Sequence, residues 1–195
     1  MRKFLYIIFI AVLLPSAAFS ADKEVSAASI ARGIATACPN LDSSNLAGIA
    51  MSVADLEVGK AVGLSEESND RKTLVEDAVA WLQKNYSCKP QVYAFSRIDK
   101  TKAYVRQIQA ACPTLPPETV DRLGRNFGNV VIAAEIVKIT EGDYRPSRAH
   151  ALFVLSLTKR DFRRDILRAE EKCTDFPRPR IEIREWDGTG KFVDY

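Results

Sequence analysis

The four cysteines are the residues whose chemical role the sequence restricts most clearly. They show neither the CxxC nor the HxxxH spacing of zinc sites, and the chain has no CxxCH motif for attaching a c-type haem. An even number of cysteines in an exported protein is typical of disulfides. We therefore predict two disulfides, no metal and no cofactor. The residues concerned are Cys38, Cys88, Cys112 and Cys173.

Residues that could catalyse hydrolysis are scarce. A nucleophile needs a base beside it, and His150 is the only histidine. No serine or carboxylate stands at a matching spacing from it. Carboxylate pairs such as Glu76 and Asp77 fall where an exposed helix face is expected. We predict no catalytic residues. A carboxylate-based enzyme remains an alternative, because the geometry that defines a glycosidase-type pair is not visible in a sequence.

The first twenty residues have the three parts of a signal peptide. Arg2 and Lys3 precede an unbroken apolar run from Leu5 to Leu14, and small residues follow up to Ser20. The apolar run is about half the ~20 residues that a membrane-spanning helix needs, and no later segment reaches that length. We predict a bacterial type of signal peptide at residues 1–20 and a mature chain, without a transmembrane segment, that is periplasmic or secreted.

The charge balance gives no reason to expect nucleic acid as a partner. The chain has 28 basic and 25 acidic residues, and removing Arg2 and Lys3 leaves 26 basic residues against the same 25. Sequence-independent binding to phosphates depends on a clear excess of positive charge. We therefore exclude nucleic acid as the expected partner.

Two nearly identical motifs divide the chain. ATACPNL at residues 35–41 and QAACPTL at 109–115 are offset by 74 residues, which is the separation of Cys38 from Cys112. With the same offset, the apolar residues that follow each motif coincide in a helical 3-4-3 pattern. A chance likeness of two helical hairpins is the alternative to duplication. If the copies are self-contained, Cys38 pairs with Cys88 and Cys112 with Cys173.

The fold predicted from this pattern is mainly α-helical. Each copy is expected to contain three helices pinned by one disulfide, with a proline after the first cysteine ending the first helix. The predicted parts are a signal peptide at 1–20, repeat 1 at 21–98, repeat 2 at 99–176 and a C-terminal extension at 177–195. Residues 151–157 are ambiguous between helix and strand, and we favour helix.

The C-terminal extension departs from the helical pattern. IEIREW alternates with a period of two, DGTG supplies turn residues, and KFVDY can return as a second strand. An isolated hairpin is marginal in water. We expect the extension to cover the helical core, although pairing with another chain's sheet edge is an alternative.

The third helix of the second copy carries a basic face. Four cations fall close together on it: Arg160, Arg163, Arg164 and Lys172. Asp161 and Asp165 are interleaved with them, so an ordinary solvated face is the favoured interpretation. An acidic protein or anionic lipid is the alternative partner. Phe153, Phe162 and Phe176 could add an apolar anchor to this face, although core packing is favoured for the first two. One apolar stripe on each third helix is also expected to be buried: Leu74, Val75, Ala78, Trp81 and Leu82 in the first copy, and Leu152, Leu155, Phe162, Ile166 and Leu167 in the second.

Three classes of function fit these observations. The favoured one is an exported, non-enzymatic protein-interaction module, such as an inhibitor, adaptor, chaperone or immunity factor, whose partner is another envelope or secreted protein. The second is a carrier of a small apolar ligand or lipid between the two copies. The third is the carboxylate-based enzyme. The oligomeric state is not predicted.

Overall fold

A computed structural model describes residues 27–90, 99–141, 146–184 and 190–194 of this chain. The predicted signal peptide lies outside these residues, as does the turn of the C-terminal hairpin. The described part contains six helices and two strands. The helices are α1 (Ala27–Ala37), α2 (Ser43–Val62), α3 (Ser65–Tyr86), α4 (Asp99–Ala111), α5 (Pro117–Ile139) and α6 (Pro146–Glu170), and the strands are β1 (Arg180–Arg184) and β2 (Gly190–Asp194).

The mainly helical class is therefore confirmed, and residues 151–157 belong to helix α6. Local signals set several boundaries. Asp42 caps α2, because its carboxylate accepts hydrogen bonds from the backbone N–H groups of Ser44 and Asn45, each at 3.0 Å. Gly63 ends α2 at a φ of 89°, which a residue without a Cβ adopts without strain. Pro117 opens α5, where its missing N–H would have had no helical partner.

The two Cys-Pro motifs adopt the same local structure. In each motif the cysteine N–H closes the preceding helix on an isoleucine carbonyl four residues earlier, at 2.8 Å for both Cys38 and Cys112. In each, the cysteine carbonyl then accepts a hydrogen bond from a leucine three residues later, at 3.0 Å for Leu41 and 3.1 Å for Leu115. The likeness of the motifs thus extends from sequence to backbone, while the duplication of whole copies stays a prediction.

Both disulfides pair as the repeat predicts. Cys38 is bonded to Cys88 and Cys112 to Cys173, with Cα atoms 5.5 and 5.7 Å apart. Each bridge joins the end of the first helix of a half to the segment that follows its third helix. Disulfides of this kind persist in oxidising compartments and are rare in the cytoplasm.

Helix α5 lies at the centre of the packing and connects the two halves of the chain. It contacts α1 and α2 of the first half, α4 and α6 of the second, and strand β1. The buried side chains form one continuous hydrophobic core to which all six helices contribute. Helices α1 and α2 of the first half therefore bury part of their apolar faces against the second half, whereas α3 packs on α2.

The strands pair antiparallel, with Ile181 opposite Val193 and Arg184 opposite Gly190. Ile181 is buried in the helical core, and β1 lies against α5. The extension thus covers the helices, as the alternating pattern predicted.

The core buries only part of the apolar stripe that was predicted on each third helix. Val75 and Leu82 of α3 are buried as expected, but Leu74 and Trp81 of the same stripe are exposed. On α6, the expectation that Leu167 packs in the core was wrong. The core reaches only one side of each third helix, so apolar residues on the other side remain in solvent.

Candidate functional site

The outer surface of α6 is the strongest candidate for a functional site. Five residues, which we call the α6 face, lie within about 100° of one another around the helix at 100° per residue: Phe153, Arg160, Arg163, Arg164 and Leu167. All five are exposed. Phe153 exposes 58% of its surface and Leu167 52%. Three guanidinium groups are thus framed by two apolar side chains, one towards each end of the helix.

Packing on the opposite side of α6 fixes which residues face outwards. Phe162 and Ile166 are buried, and the ring of Phe162 lies 6.2 Å from Tyr104 and 6.1 Å from Phe127. Asp165 is also buried and accepts a hydrogen bond from Asn126 of α5 at 2.7 Å. Rotating α6 to hide Phe153 would pull these groups out of the core, so the α6 face is held in solvent.

The charge of the α6 face is only partly neutralised within the helix. Asp161 lies 3.4 Å from Arg160 and 3.4 Å from Arg164, so a single carboxylate serves two guanidinium groups. Arg163 adds a further positive charge on the same surface. Such exposed pairs contribute little to stability, and they can exchange for a partner's carboxylates.

The four predicted contact residues do not all lie on the helix. Arg160, Arg163 and Arg164 are exposed and share one face of α6. Lys172 is exposed too, but it lies in the turn after α6 ends at Glu170, where its N–H donates to Ala169. The structure adds Phe153, which sequence reasoning expected to pack in the core.

A buried charge cluster, which the sequence analysis missed, joins three helices. Arg71 of α3 donates to both carboxylate oxygens of Asp121 on α5, at 2.8 and 2.9 Å. Arg125 donates to Asp121 as well, at 2.8 Å. Arg71 also donates to the backbone carbonyl of Asp55 on α2, at 3.0 Å. One guanidinium therefore binds the first half of the chain to the second. We call these four residues the charge cluster: Asp55, Arg71, Asp121 and Arg125.

Other buried carboxylates make similar links between helices. Glu57 of α2 accepts from Lys102 of α4 at 3.0 Å, and Glu135 of α5 pairs with Arg32 of α1 at 3.0 Å. Each of these two carboxylates pairs with a basic residue of another helix, so the pairs help to fix how the helices are arranged.

Asp55 is the member of the cluster whose titration matters most. Burial raises the pKa of its carboxyl from 3.8 to about 6, opposed by the charges of Arg125 and Arg71 and reinforced by that of Asp121. Its Oδ1 is buried without a hydrogen-bond partner among the described residues. The folded protein therefore binds a proton at Asp55 more tightly than the unfolded chain does.

We expect Asp55 to make the fold more stable at pH 5 than at pH 7, by about 1 kcal/mol. The gain develops as the pH falls through about 6, the pKa in the folded state, and is lost as the pH rises through it. Asp55→Asn should stabilise the protein at pH 7 and remove this contribution. Urea unfolding of both proteins at pH 5, 6, 7 and 8 measures it as a difference, which cancels the titration of other groups. A difference that stays constant with pH would contradict the assignment.

Two further findings concern the described residues as a whole. They include no group of three or more histidine, cysteine, aspartate or glutamate residues placed to hold a metal ion. None of their helices has the length and apolar character needed to cross a bilayer.

No family model, curated protein or solved structure matches this chain. The α6 face and the charge cluster are therefore interpreted from their own chemistry.

Proposed function

We propose that this chain is an exported, non-enzymatic interaction module that binds an acidic protein partner through its α6 face. The observation that carries the proposal is the exposure of Phe153 and Leu167 at either end of a row of arginines. Arginine and aromatic residues are enriched among the residues that dominate binding energy at protein interfaces. Packing on the opposite side of α6 holds these apolar side chains in solvent. A partner that covers them removes apolar surface from water, which favours binding.

The partner's chemistry follows from the charge of the face. Three arginines and one aspartate leave a positive surface, which favours carboxylates arranged around an apolar centre. A protein surface supplies both components in a fixed geometry.

The proposed compartment is the periplasm or the medium outside the cell. The two disulfides support it, because they form outside the reducing cytoplasm, and so does the signal-peptide pattern of residues 1–20. The proposed partner is accordingly another envelope or secreted protein. The carrier and the carboxylate-based enzyme stay predictions without a supporting observation of this kind.

Site-specific photo-crosslinking in the native cells tests the proposal. A photoreactive residue at Phe153 should give one discrete crosslinked product, whereas the same residue at Gln107, exposed on α4, should give none. Adding Arg160→Glu, Arg163→Glu and Arg164→Glu should lower the yield at Phe153 by about tenfold or more, because a partner's carboxylates would then be repelled. Equal yields at the two positions, or a yield that survives the charge reversal, would contradict the proposal.

A further inference from the structure

A second exposed face lies on α3, the third helix of the first half. Leu74 exposes 61% of its surface and Trp81 40%, and both lie on the same side of the helix. Asp70 and Asp77 are exposed beside them. We call these four residues the α3 face. It combines exposed apolar side chains with negative charge, where the α6 face combines them with positive charge.

The α3 face is held in solvent for the same reason as the α6 face. Val75 and Leu82, on the inner side of α3, are buried in the core. Arg71, also on α3, is fixed by its two hydrogen bonds to Asp121. The ring of Trp81 lies beside that of Tyr86, with the ring centres 5.3 Å apart. Rotation of α3 to hide Leu74 would break the charge cluster and empty part of the core.

The two faces are also complementary in charge. Helix α3 has five acidic and three basic residues, whereas α6 has three acidic and six basic residues. Leu74 and Trp81 are seven residues apart, as are Asp70 and Asp77, which is about 10.5 Å along a helix. Phe153, Arg160 and Leu167 follow one another at the same interval. The apolar groups are thus seven residues apart on α3 and fourteen on α6, so the complementarity of the two faces lies in charge, with Asp70 and Asp77 spaced to meet guanidinium groups between Phe153 and Leu167.

We propose that the α3 face of one copy of this chain docks on the α6 face of another. This inference rests on the proposed function and names the acidic partner as a second copy. The two surfaces are different, so the contact is heterologous: an open assembly of any length has one free α3 face and one free α6 face at its two ends, and it grows into a filament unless a ring closes. Each junction covers Leu74 and Trp81 of one copy and Phe153 and Leu167 of the next, all of which the monomer leaves exposed.

Two variants that each block one face provide the test. Asp70→Lys with Asp77→Lys makes the α3 face basic, so that it repels an unaltered α6 face. Phe153→Gln with Leu167→Gln removes the apolar groups of the α6 face while its arginines remain. All four positions are exposed, and lysine and glutamine are good helix formers, so the fold should survive. Far-UV circular dichroism and the thermal midpoint check that it does.

Sedimentation velocity of purified, oxidised mature protein should show association that strengthens with concentration and weakens with salt. Each variant alone should be a monomer at concentrations where the unaltered protein associates. Their equimolar mixture should form a 1:1 dimer and go no further. In that dimer the intact α6 face of the first variant holds the intact α3 face of the second.

Association of either variant alone to the same degree as the unaltered protein would overturn the inference, and so would a mixture that stays monomeric. Failure of the proposed function is distinguishable from these outcomes by the mass of the Phe153 crosslink. A product containing a different protein, with the unaltered chain monomeric, sinks the second copy as partner and leaves the α6 face as a docking surface. No crosslink and no association remove both proposals.

Discussion

Replacing Asp121 with asparagine should lower the free energy of unfolding by about 3 to 5 kcal/mol. The carboxylate is almost fully buried, with 2% of its side chain exposed, and it neutralises Arg71, whose side chain is 13% exposed. An asparagine has the same shape but no charge, and its NH₂ group would face a guanidinium donor. Arg71 would lose the carboxylate that accepts two of its hydrogen bonds, and α3 would lose this polar link to α5.

Urea unfolding of the oxidised protein at pH 7 measures the effect as a lower midpoint at unchanged slope. The matched control is Glu76→Gln, which breaks an ion pair with Lys72 on the same helix. There the atoms lie 3.7 Å apart and both side chains are more than half exposed, so we expect a loss below about 0.5 kcal/mol. A loss at Asp121 no larger than the loss at Glu76 would show that the cluster contributes nothing special.

Adding Arg71→Met to Asp121→Asn should restore part of the lost stability, because it removes the buried guanidinium charge that the first change deprived of the Asp121 carboxylate. Arg125 is the more exposed of the two guanidinium groups, at 35% of its side chain, and can turn towards solvent. If the double variant loses more free energy of unfolding than the two single variants lose together, the result would argue against the pairing.

Gly124→Ala should destabilise the protein by about 2 kcal/mol, although alanine favours a helix by about 1 kcal/mol over glycine. A Cβ at this position would lie 2.7 Å from Cγ2 of Val105 on α4 and 2.8 Å from Cγ1 of Val58 on α2. Both valines are fully buried and have stiff, branched side chains, so neither can move away cheaply. The absence of a side chain at Gly124 is what lets α2 and α4 approach α5 together.

Gly128 is the control one helical turn away. A Cβ there would meet the Cβ of Ala54 at 3.6 Å, an ordinary van der Waals contact. Gly128→Ala should therefore be neutral or stabilising by up to about 1 kcal/mol, from the gain in helix propensity. Thermal unfolding of the two variants side by side checks the contrast. Equal shifts of the two midpoints would mean that the close approach at Gly124 relaxes without cost.

The sequence predicted the helical class and the disulfide pairing because both depend on local patterns. The shared motif around Cys38 and Cys112 placed each cysteine at the same point of a helical hairpin, and the pairing followed from treating the halves alike. Proline and glycine positions marked the ends of helices for similar reasons. These signals act within a few residues and survive without knowledge of the tertiary packing.

The charge cluster could not be predicted in that way. Asp121 has the look of an exposed acidic residue near the start of a helix, and its partner Arg71 stands fifty residues earlier in the chain. The packing of both α3 and α5 on α2 brings the two together. A usable signal was present, since Asp121 stands between apolar positions of the buried side of α5, where a charge demands a partner.

The candidate site was predicted in part. The arginines of the α6 face were identified from their helical spacing, but Phe153 was assigned to the core and Leu167 was expected to be buried. Helical periodicity shows which residues share a side, while the amount of that side that is covered depends on neighbouring helices. The same reasoning explains Leu74 and Trp81 on α3.

The placement of the two disulfides has a consequence for what a single proteolytic cut does to the protein. One peptide-bond cleavage between Cys38 and Cys88, or between Cys112 and Cys173, leaves both products covalently joined. Between Cys38 and Cys173, a single cut separates the chain into two pieces only where it falls between Cys88 and Cys112. Even those pieces share one hydrophobic core around α5, so a nicked molecule retains the packing that holds the α3 and α6 faces outward.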